Sequence, residues 1–168
     1  MSILSGEWGL AMSKTLYNEA HLDEYIELII RQGVNIQPGQ QLLISCCVDS
    51  AFFARKAMKA AFDAGASNVR MRWIDELCDR TRFLMADDNV FDIYPAWDKL
   101  MYDNLSDEGT AFLNVSASDP EVFKGVDTNR LSRFSIAAST ALKGYFEKII
   151  TGGVRWCVAS VPSGASAT

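Results

Sequence analysis

Histidine is nearly missing from this sequence: His21 is the only one among 168 residues. Metal sites in hydrolases draw heavily on histidine, and a serine or cysteine nucleophile needs a base within reach. Only a pair formed with His21 could supply that base, and no G-x-S-x-G motif occurs. The sequence therefore gives no sign of nucleophilic catalysis of this kind.

Other absences narrow the class of protein. The sequence contains no run of ~18 apolar residues, the length that a membrane-spanning helix needs. The N-terminus lacks the pattern of a secretory signal. Acidic residues outnumber basic ones, 21 to 16, and a net charge of −5 argues against binding nucleic acid. The four cysteines form no C-x-x-C motif, which favours buried, reduced thiols over disulfides; they are Cys46, Cys47, Cys78 and Cys157. We therefore expect a cytoplasmic protein without membrane or nucleic-acid partners.

Carboxylates offer few candidates for a metal site. Asp75-Glu76 and Asp87-Asp88 could contribute oxygens to a hard cation, which needs several ligands converging from different segments. Acidic residues that open a helix are the commoner explanation, because they complement its positive end. Cys46 and Cys47 are neighbours on a predicted strand and point to opposite faces, so they do not chelate one ion together.

Phosphate and anion sites are also weakly indicated. The segment after residue 48 reads "DSAFFARK" and matches neither G-x-G-x-x-G nor G-x-x-x-x-G-K-S/T, the loops that bind nucleotide phosphates. Four arginines lie within 13 positions and allow two interpretations, an anion or carboxylate pocket or a solvated rim; they are Arg70, Arg72, Arg80 and Arg82.

Apolar periodicity predicts alternating strands and helices. Strands are expected at 41–48, 68–75, 110–117 and 154–161. Helices are expected at about 21–33, from Asp49 or Ser50 as N-cap to Gly65, at 76–85, at 91–104 and from Asp127 to Gly152. The strand–helix–strand pattern occurs twice, at 41–74 and 110–161. The predicted fold class is α/β, with a mostly parallel sheet flanked by helices.

The pattern also predicts which side chains are buried. Trp73, Trp97 and Trp156 fall on faces expected to be internal, and Ile93, Leu100 and Met101 share the face of Trp97. The strand at 68–75 alternates apolar residues with arginines, which indicates an edge or a cleft. Asp119 followed by Pro120 has the order of an N-cap and a first-turn proline.

Four segments occur in order and at natural spacing along the chain. They are "LDEYIELIIRQGVNIQPGQQLLI" (22–44), "AFDAGASNVRMRWID" (61–75), "SDPEVFKGVDTNRLSRFSIAAS" (118–139) and "WCVASVP" (156–162). Together they resemble the N-terminal part of the thermophilic-type metallo-aminopeptidases, the aminopeptidase T and aminopeptidase S family. The resemblance covers about 18–162.

The resemblance implies a cytosolic, homodimeric exopeptidase that removes N-terminal residues from peptides with a pair of divalent metal ions, such as cobalt, zinc, magnesium or manganese. The family's metal ligands belong to a C-terminal domain that has no counterpart here. No catalytic or metal-binding residue is therefore assigned to any position of this sequence, and the substrate-binding residues are unknown.

The resemblance also divides the chain. Residues 1–11 are expected to be an upstream extension or a cloning remnant, 12–162 the aminopeptidase N-terminal α/β domain, and 163–168 a disordered tail. The face of the domain near Val161 is expected to be partly uncovered. A frameshift, a premature stop, a split gene or a deliberately isolated domain would each give such an end. The implied function is the N-terminal portion of an aminopeptidase, inactive alone and binding no metal. The alternative is a non-catalytic binding or assembly module that complements a separate catalytic half.

Overall fold

The computed structural model describes residues 18–116 and 121–161. The strands are β1 (Gln41–Cys47), β2 (Asn68–Ile74), β3 (Ala111–Ser116) and β4 (Trp156–Ser160). The helices are α1 (Glu19–Leu28, continued by a π-helical turn, Ile29–Gly33), α2 (Ala51–Asp63), α3 (Glu76–Met85), α4 (Ala96–Asp107), α5 (Thr128–Ala141) and α6 (Lys143–Ile150). Short 3₁₀ turns span Val48–Ser50 and Asp88–Asp92. The predictions for 1–11, for Asp119-Pro120 and for 163–168 lie outside the described residues.

The four strands form one parallel sheet in the order β2-β1-β3-β4. In the register, Ile44 lies between Met71 of β2 and Leu113 of β3, and Leu113 pairs with Cys157 of β4. The central strands are buried on both faces, as continuous apolar runs predict. The predicted α/β class is therefore confirmed, and β2 lies at an edge as expected.

Alternate side chains of the strands enter two cores. On one face, Ile44 and Leu113 pack with Phe53 of α2 and Ile30 behind α1. On the other face, the core consists of Leu43, Leu105, Phe112, Leu142, Tyr145 and Val154. A third cluster, built on Phe83, Phe91 and Val126, lies away from the sheet between α3 and α5. No helix in the described ranges is long and apolar enough to cross a bilayer.

Local signals placed several boundaries correctly. Gly39 has φ +80° in a turn closed by a hydrogen bond from Gln40 N to Gln37 O (3.0 Å), and Gly65 ends α2 with φ +102°. Asp127 caps α5, because its carboxylate accepts from Asn129 N at 2.9 Å. The predicted cap of α2 is wrong: the 3₁₀ turn runs directly into this helix, and Ser50 makes no side-chain capping bond.

The predicted long helix after Asp127 is two helices. The break lies at Leu142 (φ −93°, ψ 13°), whose side chain is buried in the core beneath α4 and α6. Phe134 of α5 packs instead against the third cluster, around Phe83 and Phe91. Helix α5 therefore packs against the third cluster, whereas α6 packs against the core that contains Leu142 and Tyr145. One apolar stripe along a single predicted helix does not reveal this division.

The predicted burial of three tryptophans is wrong. Trp73, Trp97 and Trp156 are 44%, 70% and 46% exposed. Trp73 and Trp156 lie on the two edge strands, where less of the fold covers them. Trp97, together with Ile93 and Leu100, faces outward because α4 begins only at Ala96 and turns Asp98 inward.

Gly33 packs closely against β4. A Cβ added there would lie 2.8 Å from Cys157 Sγ, whereas one added at Gly144 in α6 would meet nothing within 4 Å. We predict that Gly33→Ala lowers the free energy of unfolding by about 1–2 kcal/mol through overpacking, and that Gly144→Ala raises it by about 0.5–1 kcal/mol. Urea unfolding measures both changes.

Cys157→Ala removes the opposing sulfur and should reverse most of the loss caused by Gly33→Ala. A Gly33→Ala protein as stable as the parent would contradict this close contact.

Candidate functional site

The carboxyl edge of the sheet is the usual place for a ligand in an open parallel sheet. In this sheet the strand order reverses between β1 and β3. The chain leaves β1 toward β2 on one side, and it leaves β3 toward β4 on the other side. After β1 the chain turns through Val48–Ser50 into α2, with Asp49 exposed and no glycine. This connection does not form a phosphate-binding loop.

A buried polar group lies on the sheet face covered by α4 and α6. Asp98 of α4 is 3% exposed and accepts from Arg72 of β2 at both oxygens, Nη2 to Oδ2 at 3.0 Å and Nε to Oδ1 at 3.4 Å. The Tyr94 hydroxyl donates to the same Oδ2 at 2.5 Å. The Arg72 guanidinium also lies 5.8 Å from the ring centroid of Tyr102. We call these four residues the Asp98 cluster.

The chemistry of the Asp98 cluster is structural. Burial raises the pKa of Tyr94, and its hydrogen bond and charge interaction with Asp98 raise this pKa further, so the phenol stays protonated at neutral pH. Both carboxylate oxygens of Asp98 are occupied. The cluster therefore holds α4 on β2 and presents no free general base.

Sequence reasoning missed this cluster. No local signal marks Asp98, which lies outside the apolar stripe predicted for α4. Its partner Arg72 is 26 positions away, and only the fold brings the two together.

A groove of about 590 Å³ runs beside the cluster. Its lining is Asp92, Ile93, Tyr94, Arg133, Ile136, Ala137, Thr140 and Ala141. Arg133 pairs with Asp92 through Nε–Oδ1 and Nη2–Oδ2 contacts of 2.7 and 2.5 Å, which lowers the pKa of Asp92. Since these charges neutralise each other, the groove can accept an apolar side chain but has no unpaired charge to orient a substrate.

The four arginines considered for an anion pocket do not converge. Arg70 is exposed, and Arg72 belongs to the Asp98 cluster. Arg80 donates to the backbone oxygen of Lys124 at 3.1 Å, and Arg82 stacks 4.5 Å from the ring centroid of Phe134. The pocket interpretation is therefore wrong, and the solvated-rim interpretation fits Arg70 alone.

The candidate metal ligands are also dispersed. Asp75 Oδ1 caps α3 by accepting from the backbone N–H groups of Leu77 and Cys78, both at 3.1 Å. Asp88 pairs with Arg130 at 2.6 Å, and His21 is exposed on α1. In residues 18–116 and 121–161, no three or more His, Cys, Asp or Glu side chains gather as metal ligands would. The described residues do not fit a metal pair, and no catalytic step is assigned to them.

The thiols are only partly as predicted. No disulfide joins the four cysteines, all of which are described. Cys46 and Cys47 are buried, Cys157 is half-buried and Cys78 is exposed. Burial raises the pKa of Cys46 to about 12, which keeps it a neutral thiol. The hydrogen bond with Asp75 raises the pKa of Cys78, and burial raises that of Cys157, so neither has the lowered pKa of a reactive cysteine.

Comparisons with known proteins identify the family. A family model described as thermophilic metalloprotease (M29) matches residues 18–168. The chain is 36% identical over 147 residues to Aminopeptidase 2 from Geobacillus stearothermophilus and 33% identical over 142 residues to Aminopeptidase AmpS from Bacillus subtilis. The structure of wild-type AmpT from Thermus thermophilus superimposes with a TM-score of 0.79 at 28% identity.

These matches define the class of protein first: an α/β domain of a metalloprotease family. More specifically, the chain belongs to the thermophilic metalloprotease family M29. The matches cover 88%, 84% and 84% of this chain but only 36%, 35% and 36% of Aminopeptidase 2, AmpS and AmpT. The chain therefore spans about a third of the length of the aminopeptidases that it matches, and the resemblance found in the sequence is confirmed.

The Asp98 cluster makes a testable contribution to stability. Asp98→Ala removes the carboxylate that accepts hydrogen bonds from Arg72 and from the Tyr94 hydroxyl, so these donors lose their acceptor. Breaking a fully buried pair costs about 3–5 kcal/mol; the Arg72 side chain keeps 30% exposure, so we predict a loss of roughly 2–4 kcal/mol. Denaturant unfolding measures this loss.

The neighbouring variant Lys99→Ala is the matched control. It removes an exposed i,i+4 pair with Asp103 and should cost at most about 1 kcal/mol. Equal losses for Asp98→Ala and Lys99→Ala would show that the cluster does not stabilise the fold.

Proposed function

We propose that this chain is the N-terminal portion of a metal-dependent aminopeptidase that hydrolyses N-terminal residues from peptides, and that it is inactive on its own. The family match over residues 18–168 supports the reaction class. The lack of a ligand cluster in the described residues supports the inactivity, because a two-metal hydrolase needs several converging ligands.

The same proposal assigns the parts of the chain. Residues 12–162 are the N-terminal α/β domain, 1–11 an extension and 163–168 a tail, and the metal-binding catalytic domain lies outside this chain. The coverage of the relatives, 36% for Aminopeptidase 2, is consistent with this division. In the complete protein we place a pair of divalent cations, drawn from cobalt, zinc, magnesium or manganese, in that other domain. We further propose a cytoplasmic homodimer acting on peptides.

A second candidate function is a binding or assembly module that complements a separate catalytic half. The observation that favours it is the exposure of Trp156 and Val158, two apolar side chains on the same face of β4. Contiguous exposed apolar surface marks contact sites. Activity that appears only on mixing with a separately produced half would distinguish this module from a portion of one polypeptide.

The proposed inactivity has a direct assay. With leucine p-nitroanilide and added cobalt, zinc or magnesium, we predict no release of p-nitroaniline above the buffer blank. Aminopeptidase 2 assayed in the same buffers is the positive control. Turnover that co-elutes with this chain and stops on adding a chelator would contradict the proposal.

A further inference from the structure

Strand β4 has one free edge. Within the described residues only β3 pairs with it. Phe112 N donates to Arg155 O and Val161 N donates to Ser116 O, each at 2.9 Å. Since alternate residues of a parallel strand bond to the same neighbour, the amides of Trp156, Val158 and Ser160 point away from β3.

One face of β4 is also bare. Trp156 and Val158 are 46% and 55% exposed and lie on the side of Phe112 and Asn114, their partners in β3. The opposite face is covered, because Ala159 is buried and Cys157 packs against Gly33. The Tyr25 hydroxyl donates at 3.2 Å to Ser160 O, a carbonyl that points away from β3, so the open part of the edge lies at Trp156 and Val158. Parallel sheets are normally covered on both faces, so β4 lacks the cover that β1 and β3 have.

The two edges of the sheet differ in how they resist pairing. Native edge strands are commonly protected by charged side chains. Strand β2 carries Arg70 and Arg72, whereas β4, with the sequence WCVAS, carries no charge. The unprotected edge is therefore that of β4.

The order of the strands points to the same edge. After β2, the chain adds β3 on the other side of β1 and then β4 beyond β3. A further strand placed beside its predecessor extends the sheet at β4. The relatives supply such chain, because this sequence matches only 36% of Aminopeptidase 2 and 36% of the AmpT structure.

We propose that the free edge of β4, with its bare Trp156 and Val158 side chains, binds a β-strand and a covering helix from the part of the aminopeptidase polypeptide that this chain does not match. The inference rests on the proposed function, since it takes that polypeptide as the partner. The strand pairs with the amides of Trp156 and Val158, and the helix buries their side chains, continuing the core around Phe112 and Tyr145.

The test uses synthetic peptides of about 30 residues, the length of a strand–helix–strand unit and so enough for a strand and a helix, that tile the unmatched part of Aminopeptidase 2. Binding to this chain is measured by fluorescence anisotropy.

Val158→Pro removes only the amide that faces the free edge, so it spares the bonds to β3. Val158→Thr keeps that amide and the branched Cβ, and Leu77→Lys alters an exposed apolar residue on α3. Circular dichroism confirms that each variant is folded, and Val158→Lys replaces Val158→Pro if proline unfolds the chain.

We expect at least one peptide to bind the parent chain, with affinity reduced about tenfold or more by Val158→Pro and changed less than about twofold by Val158→Thr and Leu77→Lys. Equal binding by Val158→Pro, or no binding by the parent chain, overturns the proposal. A dimer of the parent chain that Val158→Pro dissociates in sedimentation would also overturn it, because a second copy would then occupy the edge. The peptide-binding test uses no substrate and no metal, so its failure would not contradict the proposed aminopeptidase function. The leucine p-nitroanilide assay tests that function separately.

Discussion

The central strands β1 and β3 carry apolar side chains on both faces, so the chain must cover the sheet from two sides. On one side α1 with its π-helical turn and α2 supply that cover, and on the other α4 and α6 do. The pair between Asp98 and Arg72 fixes α4 on the second side. With both sheet faces taken, α3 and α5 pack together around Phe83 and Phe91 instead. The cover is thinner at the two edge strands, where Trp73 of β2 and Trp156 and Val158 of β4 are exposed.

Much of this fold follows from local sequence. Continuous apolar runs predicted the buried strands, α3 was predicted with the bounds Glu76–Met85 that it has, and Gly39, Gly65 and Asp127 marked their turns and cap correctly. The failures concern which face of an element is covered. An apolar stripe on α4 suggested that Trp97 faces inward, but the distant Arg72 turns Asp98 inward instead. The break at Leu142 likewise arises because α5 and α6 pack against separate cores. The helical periodicity of the sequence does not predict this break.

The family could be recognised from four segments, whereas no site could be derived from residues, and the ion pairs explain why. The charged groups near the candidate site pair with one another: Asp98 with Arg72, Asp92 with Arg133, and Asp88 with Arg130. A carboxylate held by an arginine is a poor metal ligand, because binding the metal would cost that pair. The described residues thus form a scaffold, and the chemistry of the family is proposed to come from the two-thirds of the relatives that this chain does not match.

The central claim is that β4 presents an unpaired edge and a bare face to further chain. Native-state hydrogen exchange, followed by NMR residue by residue, tests it within a single strand. The account predicts slow exchange for the amides of Cys157 and Ala159, which bond to β3, and fast exchange for those of Trp156 and Val158, which face the free edge. Equally slow exchange at Trp156 and Val158 in the isolated chain would contradict the account, because this edge would then already be paired.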